Sequence, residues 1–147
     1  MSTQSELETF ESYCETLYNS PNPEERSKAE AALVQLSTAP EYIPQCQFVL
    51  SHSKLPYAQL VATNALKKLL QQNWNHLAPA ARAEYRNFML NFLANEGPGC
   101  QHFVAAANVQ LVASVTKLGW MELDDPQQVV HEVRHVWRDS HQRVIRA

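Results

Sequence analysis

The stretch Pro56–Trp74, PYAQLVATNALKKLLQQNW, decides the fold. On a helix turning about 100° per residue, Val61, Ala62, Ala65, Leu66, Leu69 and Leu70 gather into one apolar arc. Thr63, Asn64, Lys67, Lys68 and Gln71 fall on the opposite side. Pro56 suits the first helical position, where an N–H would have no intrahelical acceptor. The spacing predicts an amphipathic helix with one packing face and one polar, weakly basic face.

Helical spacing continues on both sides of it. A helix over about 3–19 uses Leu7, Phe10, Cys14, Leu17 and Tyr18 as its apolar positions. Asn22-Pro23-Glu24-Glu25 predicts the start of a second, with Asn22 as cap, Pro23 at the first position and Glu25 as a capping-box carboxylate. That helix packs through Ala29, Ala32, Leu33 and Leu36 and stops near Pro40. A shorter segment over roughly 41–51 uses Ile43, Cys46, Val49 and Leu50. Beyond the break at His76–Pro79, a fifth helix begins at Pro79 and sets Tyr85, Phe88, Met89, Phe92 and Leu93 on one side. Gly97-Pro98-Gly99 interrupts again. The sixth helix runs to Leu118 with Val104, Ala107, Leu111, Val115 and Leu118 as its stripe, and Gly119 fits a left-handed terminus. After Asp124-Asp125-Pro126 a seventh carries Val129, Val133, Val136, Trp137 and Val144.

No stretch sustains period-two alternation, so no strand is assigned. The helices pair from near residues 3, 41 and 79, and a spacing of about 40 residues per pair is the period of HEAT and armadillo arrays. The expected fold is all-α, a right-handed α-α superhelix of about three and a half helical pairs, because each pair needs a neighbour to bury its apolar face. The expected repeats cover about 3–38, 41–73 and 79–119, with a lone helix at about 126–147. A compact bundle is the alternative, since helix number alone does not fix topology. The seventh helix has an apolar stripe and no successor to cover it, so the expectation is the N-terminal piece of a longer solenoid.

Composition narrows the function. The chain has 147 residues, 45% hydrophobic and 18% charged, which is the range of a globular domain with a core. Three glycines are too few for phosphate-cradling loops or many tight turns. Residues 1–50 carry eight acids against Arg26 and Lys28, whereas 126–147 carry four arginines against Glu132 and Asp139. Neither part is basic enough for a nucleic-acid footprint. Cys14, Cys46 and Cys100 lack any CxxC spacing and read as free thiols of a reducing compartment. The polar, acidic start MSTQSELETFESYCE is no signal or transit peptide. The uncharged run Gly97–Thr116 approaches a membrane span in length, but Gln101, His102, Asn108 and Gln110 make it a buried helix instead.

One motif suggests chemistry. His131-Glu132-Val133-Arg134-His135 matches H-E-x-x-H, two histidines one turn apart with a glutamate base between them, and His141 sits where a third zinc ligand would. Arg138 stands where that architecture needs a glycine to turn the chain. On a continuing helix His141 points about 100° away from the pair. No methionine follows Met121 to supply a Met-turn. The reading is therefore a solvated face, with no metal, cofactor or catalytic residue assigned and no enzyme expected.

Several segments resemble a known family. EERSKAEAALVQLSTAP at 24–40 is similar to the opening repeat of the importin-β (karyopherin-β) superfamily. QCQFVLSHS at 45–53, YAQLVATNALKKL at 57–69, YRNFMLNFLA at 85–94 and VQLVASVTKLGW at 109–120 resemble its Ran-binding exportins. The resemblance implies a nuclear transport receptor of the cytoplasm, nucleus and nuclear pore. Its partners would be the small GTPase Ran in its GTP form, cargo proteins and pore proteins with Phe-Gly repeats. Neither nucleic acid nor membrane is implied. In this family the second helix of each N-terminal repeat faces Ran. Here that implies Glu24, Lys28 and Gln35, then Tyr57, Asn64, Lys67, Lys68 and Gln71, then His102, Gln110 and Lys117. Such an interface would be polar and charge-complementary. The alternative is a HEAT adaptor without preference for Ran.

Overall fold

Within residues 4–119 six α-helices form where the spacing places them: α1 (Gln4–Asn19), α2 (Pro23–Val34), α3 (Ile43–His52), α4 (Pro56–Asn73), α5 (Pro79–Glu96) and α6 (His102–Leu118). The computed structural model describes residues 4–119 and, beyond them, His131, Arg134, His135 and Arg138, all four helical. Among the described residues there is no strand. The expected Asp-Asp-Pro start of the seventh helix and its stripe of Val129, Val133, Val136, Trp137 and Val144 lie outside them. The chain divides into two compact units, Met1–Leu69 and Leu70–Ala147, with the division inside α4.

The start of α2 shows how local chemistry sets an element. Asn22 is extended and its side chain accepts from the Glu24 N–H at 2.9 Å, satisfying one of the donors a helix start leaves open. Glu25 departs from the expected capping box. Its carboxylate accepts from the Ser20 hydroxyl at 2.8 Å, and that hydroxyl accepts from the Asn22 N–H at 3.2 Å. Serine thus relays the interaction that a glutamate ordinarily makes directly. Arg26 closes the turn by donating to the Ser20 carbonyl at 3.0 Å.

In the first unit α1 packs on α2, and the interior joins Leu7, Phe10 and Cys14 to Ala29, Leu33 and Leu36. From α3 come Ile43, Cys46, Val49 and Leu50, and from α4 Ala58, Ala62, Ala65, Leu66 and Leu69. Ala32, expected to pack, is exposed, as is Tyr18. In the second unit α5 packs on α6 through Met89, Phe92 and Leu93 against a stripe of Val104, Leu111, Val112 and Val115. Leu118 is exposed rather than part of that stripe. Gly119 ends α6 with φ −104°, outside the left-handed region, and its N–H bonds the Val115 carbonyl at 3.1 Å. No helix among the described residues is long and apolar enough to cross a membrane.

Helix α4 buries more than its apolar arc. Thr63, expected on the polar side, is wholly buried, and Gln59 is buried with it. Both are satisfied locally: the Thr63 hydroxyl donates to the Gln59 carbonyl at 2.7 Å, and the Gln59 amide donates to the Ser53 carbonyl at 3.1 Å. A threonine that bonds back to its own helix enters a core without an unpaired hydroxyl. Ser53 in turn donates to Glu11 at 2.9 Å, tying the α3–α4 turn to α1. The polar face of α4 is therefore narrower than spacing alone implies, and its exposed members are Asn64, Lys68 and Gln71, with Lys67 half-buried.

Cys14 and Cys46 are buried, and burial pushes each thiol pKa up to about 12, with Glu11 and Glu15 adding to the effect at Cys14. A thiol raised above its unfolded value of 9.0 stabilises the fold fully below pH 9 and loses that contribution as pH rises toward 12. Between these limits the unfolded chain binds fewer protons, so stability falls by up to about 1.4 kcal/mol per pH unit for each thiol. Urea unfolding across this alkaline range is expected to show the decline. Cys14→Ala/Cys46→Ala should have a flatter pH slope, whatever its stability at neutral pH.

Candidate functional site

The two grooves on either side of α2 define what its neighbourhood can bind. One, a shallow groove of about 350 Å³, runs between α2 and α4. Its floor is Leu17, Leu33, Val61 and Ala65, and its rim carries Glu30, Ser37, Asn64 and Lys68. Val34 also lines it and is 51% exposed. The second groove, beside α1 and α3, is lined by Phe10, Tyr13, Ala32 and Leu36, with Glu6, Thr9, Gln35, Tyr42 and Gln45 around them.

The expected partner-facing residues divide between these places. Asn64 and Lys68 line the α2–α4 groove, and Lys67, their neighbour on α4, is half-buried. Gln35 lines the other groove, while Glu24 and Lys28 are exposed on α2 without lining either. Tyr57, at the head of α4, stacks on Tyr18 with ring centroids 4.7 Å apart and planes 8° from parallel. One face of Tyr57 is thereby committed to the fold, and burial raises the Tyr18 pKa above its usual value, with Cys14 and Tyr57 adding to the shift. In the second unit Gln71 is exposed near the end of α4. Gln110, Lys117 and His102 are exposed on α6, within an arc of about 80° at helical spacing.

Spacing missed Glu30 and Val34 of α2, and Ser37 of the 3-10 turn that follows it, all of which line the groove. At about 100° per residue Glu30 and Val34 lie well round the helix from Lys28 and Gln35. The side of α2 that meets α4 could have been read from the buried Ala29 and Leu33, but only with the neighbour's position known. Among the described residues no three His, Cys, Asp or Glu side chains converge to hold a metal. His131 and His135 of the H-E-x-x-H motif are helical and exposed, and Glu132 and His141 lie outside the described residues.

Residues 29–95, from α2 through α5, match the importin-beta N-terminal domain. The chain is 37% identical over 138 residues to exportin-7-B of Xenopus laevis, covering 91% of this chain and 13% of that protein. The chain belongs to the importin-β superfamily. Its helices are the all-α repeat fold of that superfamily, as their paired spacing predicts. It is also 37% identical over 127 residues to Ran-binding protein 17 of Mus musculus, covering 86% of this chain and 12% of that protein. With Ran-binding protein 16 of Drosophila melanogaster it shares 38% identity over 117 residues, covering 80% of this chain and 10% of the relative. This importin-β superfamily chain thus spans between 10% and 13% of the length of these relatives.

Proposed function

We propose that this chain is the N-terminal helical-repeat segment of an exportin-7-like nuclear export receptor that binds Ran in its GTP form. The observation that carries the reading is 37% identity to an exportin-7 over 138 residues, joined to similar relatives whose names state Ran binding. The α2–α4 groove supports it physically. Lys68 and Asn64 stand beside Glu30 on its rim, so both signs of charge face outward over an apolar floor. Such a surface steers and registers a folded protein partner rather than enclosing a small molecule.

Cargo proteins and Phe-Gly repeat proteins of the nuclear pore complete the proposed partners, with residence in both cytoplasm and nucleus. The receptor needs no catalytic group or cofactor of its own, because the GTPase carries the reaction that ends the complex. Recovery of Ran on the immobilised chain tests the reading. Ran loaded with GTP should be retained well above Ran loaded with GDP. Equal retention of the two forms would make this a helical-repeat adaptor without nucleotide preference.

A further inference from the structure

We propose that Ser20 is a phosphorylation site for a proline-directed serine/threonine kinase, and that its phosphate rewires the α1–α2 turn through Arg26. Ser20-Pro21 is the one place in the 147 residues where a serine or threonine precedes proline. Proline removes a backbone N–H at the following position, so it suits a kinase whose cleft needs no donor there. Residues 20–22 lie between α1 and α2, outside both helices. Asn19, Pro21, Asn22 and Pro23 are exposed, and Ser20 is half-buried. Prolines at 21 and 23 bias the residues before them toward extended backbone, the form a kinase cleft takes. Asn22 already adopts it, at φ −86° and ψ 115°. Little backbone bonding opposes presentation of the serine. Between Ser20 and Glu24 the one N–H belongs to Asn22, and it bonds the Ser20 hydroxyl itself at 3.2 Å.

In the transfer, Ser20 Oγ attacks the γ-phosphorus of ATP and forms the new O–P bond. The bond from that phosphorus to the β,γ-bridging oxygen breaks, ADP leaves with the electron pair, and the hydroxyl proton passes to the kinase's aspartate. The product lacks the hydroxyl donor that now binds the Glu25 carboxylate at 2.8 Å. Its charge of about −1.5 to −2 at pH 7 also repels that carboxylate. Arg26 is placed to receive it, because its guanidinium already donates to the Ser20 carbonyl at 3.0 Å. A charge-assisted bond to a phosphate oxygen is stronger than the present bond to a neutral carbonyl. Phosphorylation therefore exchanges the Ser20–Glu25 contact for a Ser20–Arg26 one at the entry to α2. Neither the transfer nor the exchange draws on Ran binding.

Incubating the folded chain with magnesium and ATP and either a cyclin-dependent or a mitogen-activated kinase, in separate reactions, tests the site. Intact-mass analysis should show a single phosphate, and peptide mapping should place it on Ser20. Ser20→Ala should lose it. Pro21→Ala keeps the hydroxyl and should slow the transfer by about tenfold or more. The phosphorus-31 resonance of the product should titrate near pH 6, with a midpoint that rises in Arg26→Gln as the neighbouring cation is removed. Far-ultraviolet circular dichroism checks that each variant stays helical. Transfer by neither kinase, equal transfer to a helical Pro21→Ala, or a midpoint unmoved by Arg26→Gln would overturn the proposal.

Discussion

Replacing Trp74 with alanine is expected to cost about 3–5 kcal/mol of stability, the range for removing a buried tryptophan. Trp74 is 3% exposed in the 3-10 turn Trp74–His76 that joins α4 to α5. The Arg82 guanidinium lies 5.6 Å from its ring centroid, and the Arg82 Nε–H donates to the Trp74 carbonyl at 2.9 Å. Truncation would open a cavity and also remove the aromatic face from that cation, which is worth about 0.5–2 kcal/mol. The loss is a large part of the roughly 5–15 kcal/mol that holds an ordinary domain together. Trp74→Phe keeps the ring face and most of the volume. It also removes an indole N–H that has no hydrogen-bond partner among the described residues. Urea denaturation of the two variants should therefore separate them clearly, with phenylalanine much nearer the parent. An alanine variant within about 1 kcal/mol of the parent would show that the turn does not depend on this side chain.

Reversing charge at Lys67 and Lys68 together is expected to weaken binding of GTP-loaded Ran by roughly tenfold to a hundredfold, or about 1.4–2.8 kcal/mol. Lys68 is exposed on the rim of the α2–α4 groove and Lys67 is half-buried beside it. The two should differ in kind. Lys68→Glu changes an exposed charge, so its effect should fall on the association rate and fade as salt is raised. Lys67→Glu also shortens and reverses the charge of a half-buried side chain, so part of its effect should appear as lower thermal stability. Lys117→Glu on α6 supplies a third reversal in the second unit. If association with GTP-loaded Ran is unchanged by all three, the polar faces of α4 and α6 are not the Ran-facing surface.

Most of the fold was legible because helical chains announce themselves through spacing, caps and prolines. Pro23, Pro56 and Pro79 each stand at the first position of a helix, and Asn22 caps as its chemistry requires. Details that depend on neighbours were not legible. Thr63 looked polar and is wholly buried, because its hydroxyl is satisfied within α4. Glu25 had the spacing of a capping box, yet a serine two residues before the cap took its carboxylate. Gly119 had the right composition for a left-handed end and did not adopt one.

The candidate site was legible by helix but not by groove. Sequence named the exposed polar residues of α4, and the structure adds Glu30 and Val34 from α2 and Ser37 from the turn after it, alongside Asn64 and Lys68. Polarity alone would never select Val34. An exposed valine is recognisable as part of a surface only when the groove it borders is in view. The partner itself came from similarity to transport receptors, since nothing in hydrophobic spacing distinguishes one helical-repeat binder from another.

The central claim is that this chain recognises the nucleotide state of Ran. Its most direct test is the equilibrium affinity of the chain for Ran carrying a non-hydrolysable GTP analogue, compared with Ran carrying GDP. A preference of at least about tenfold for the GTP-like form, lowered by Lys68→Glu, is the predicted result. Affinity that is absent for both forms, or the same for both, would contradict the account.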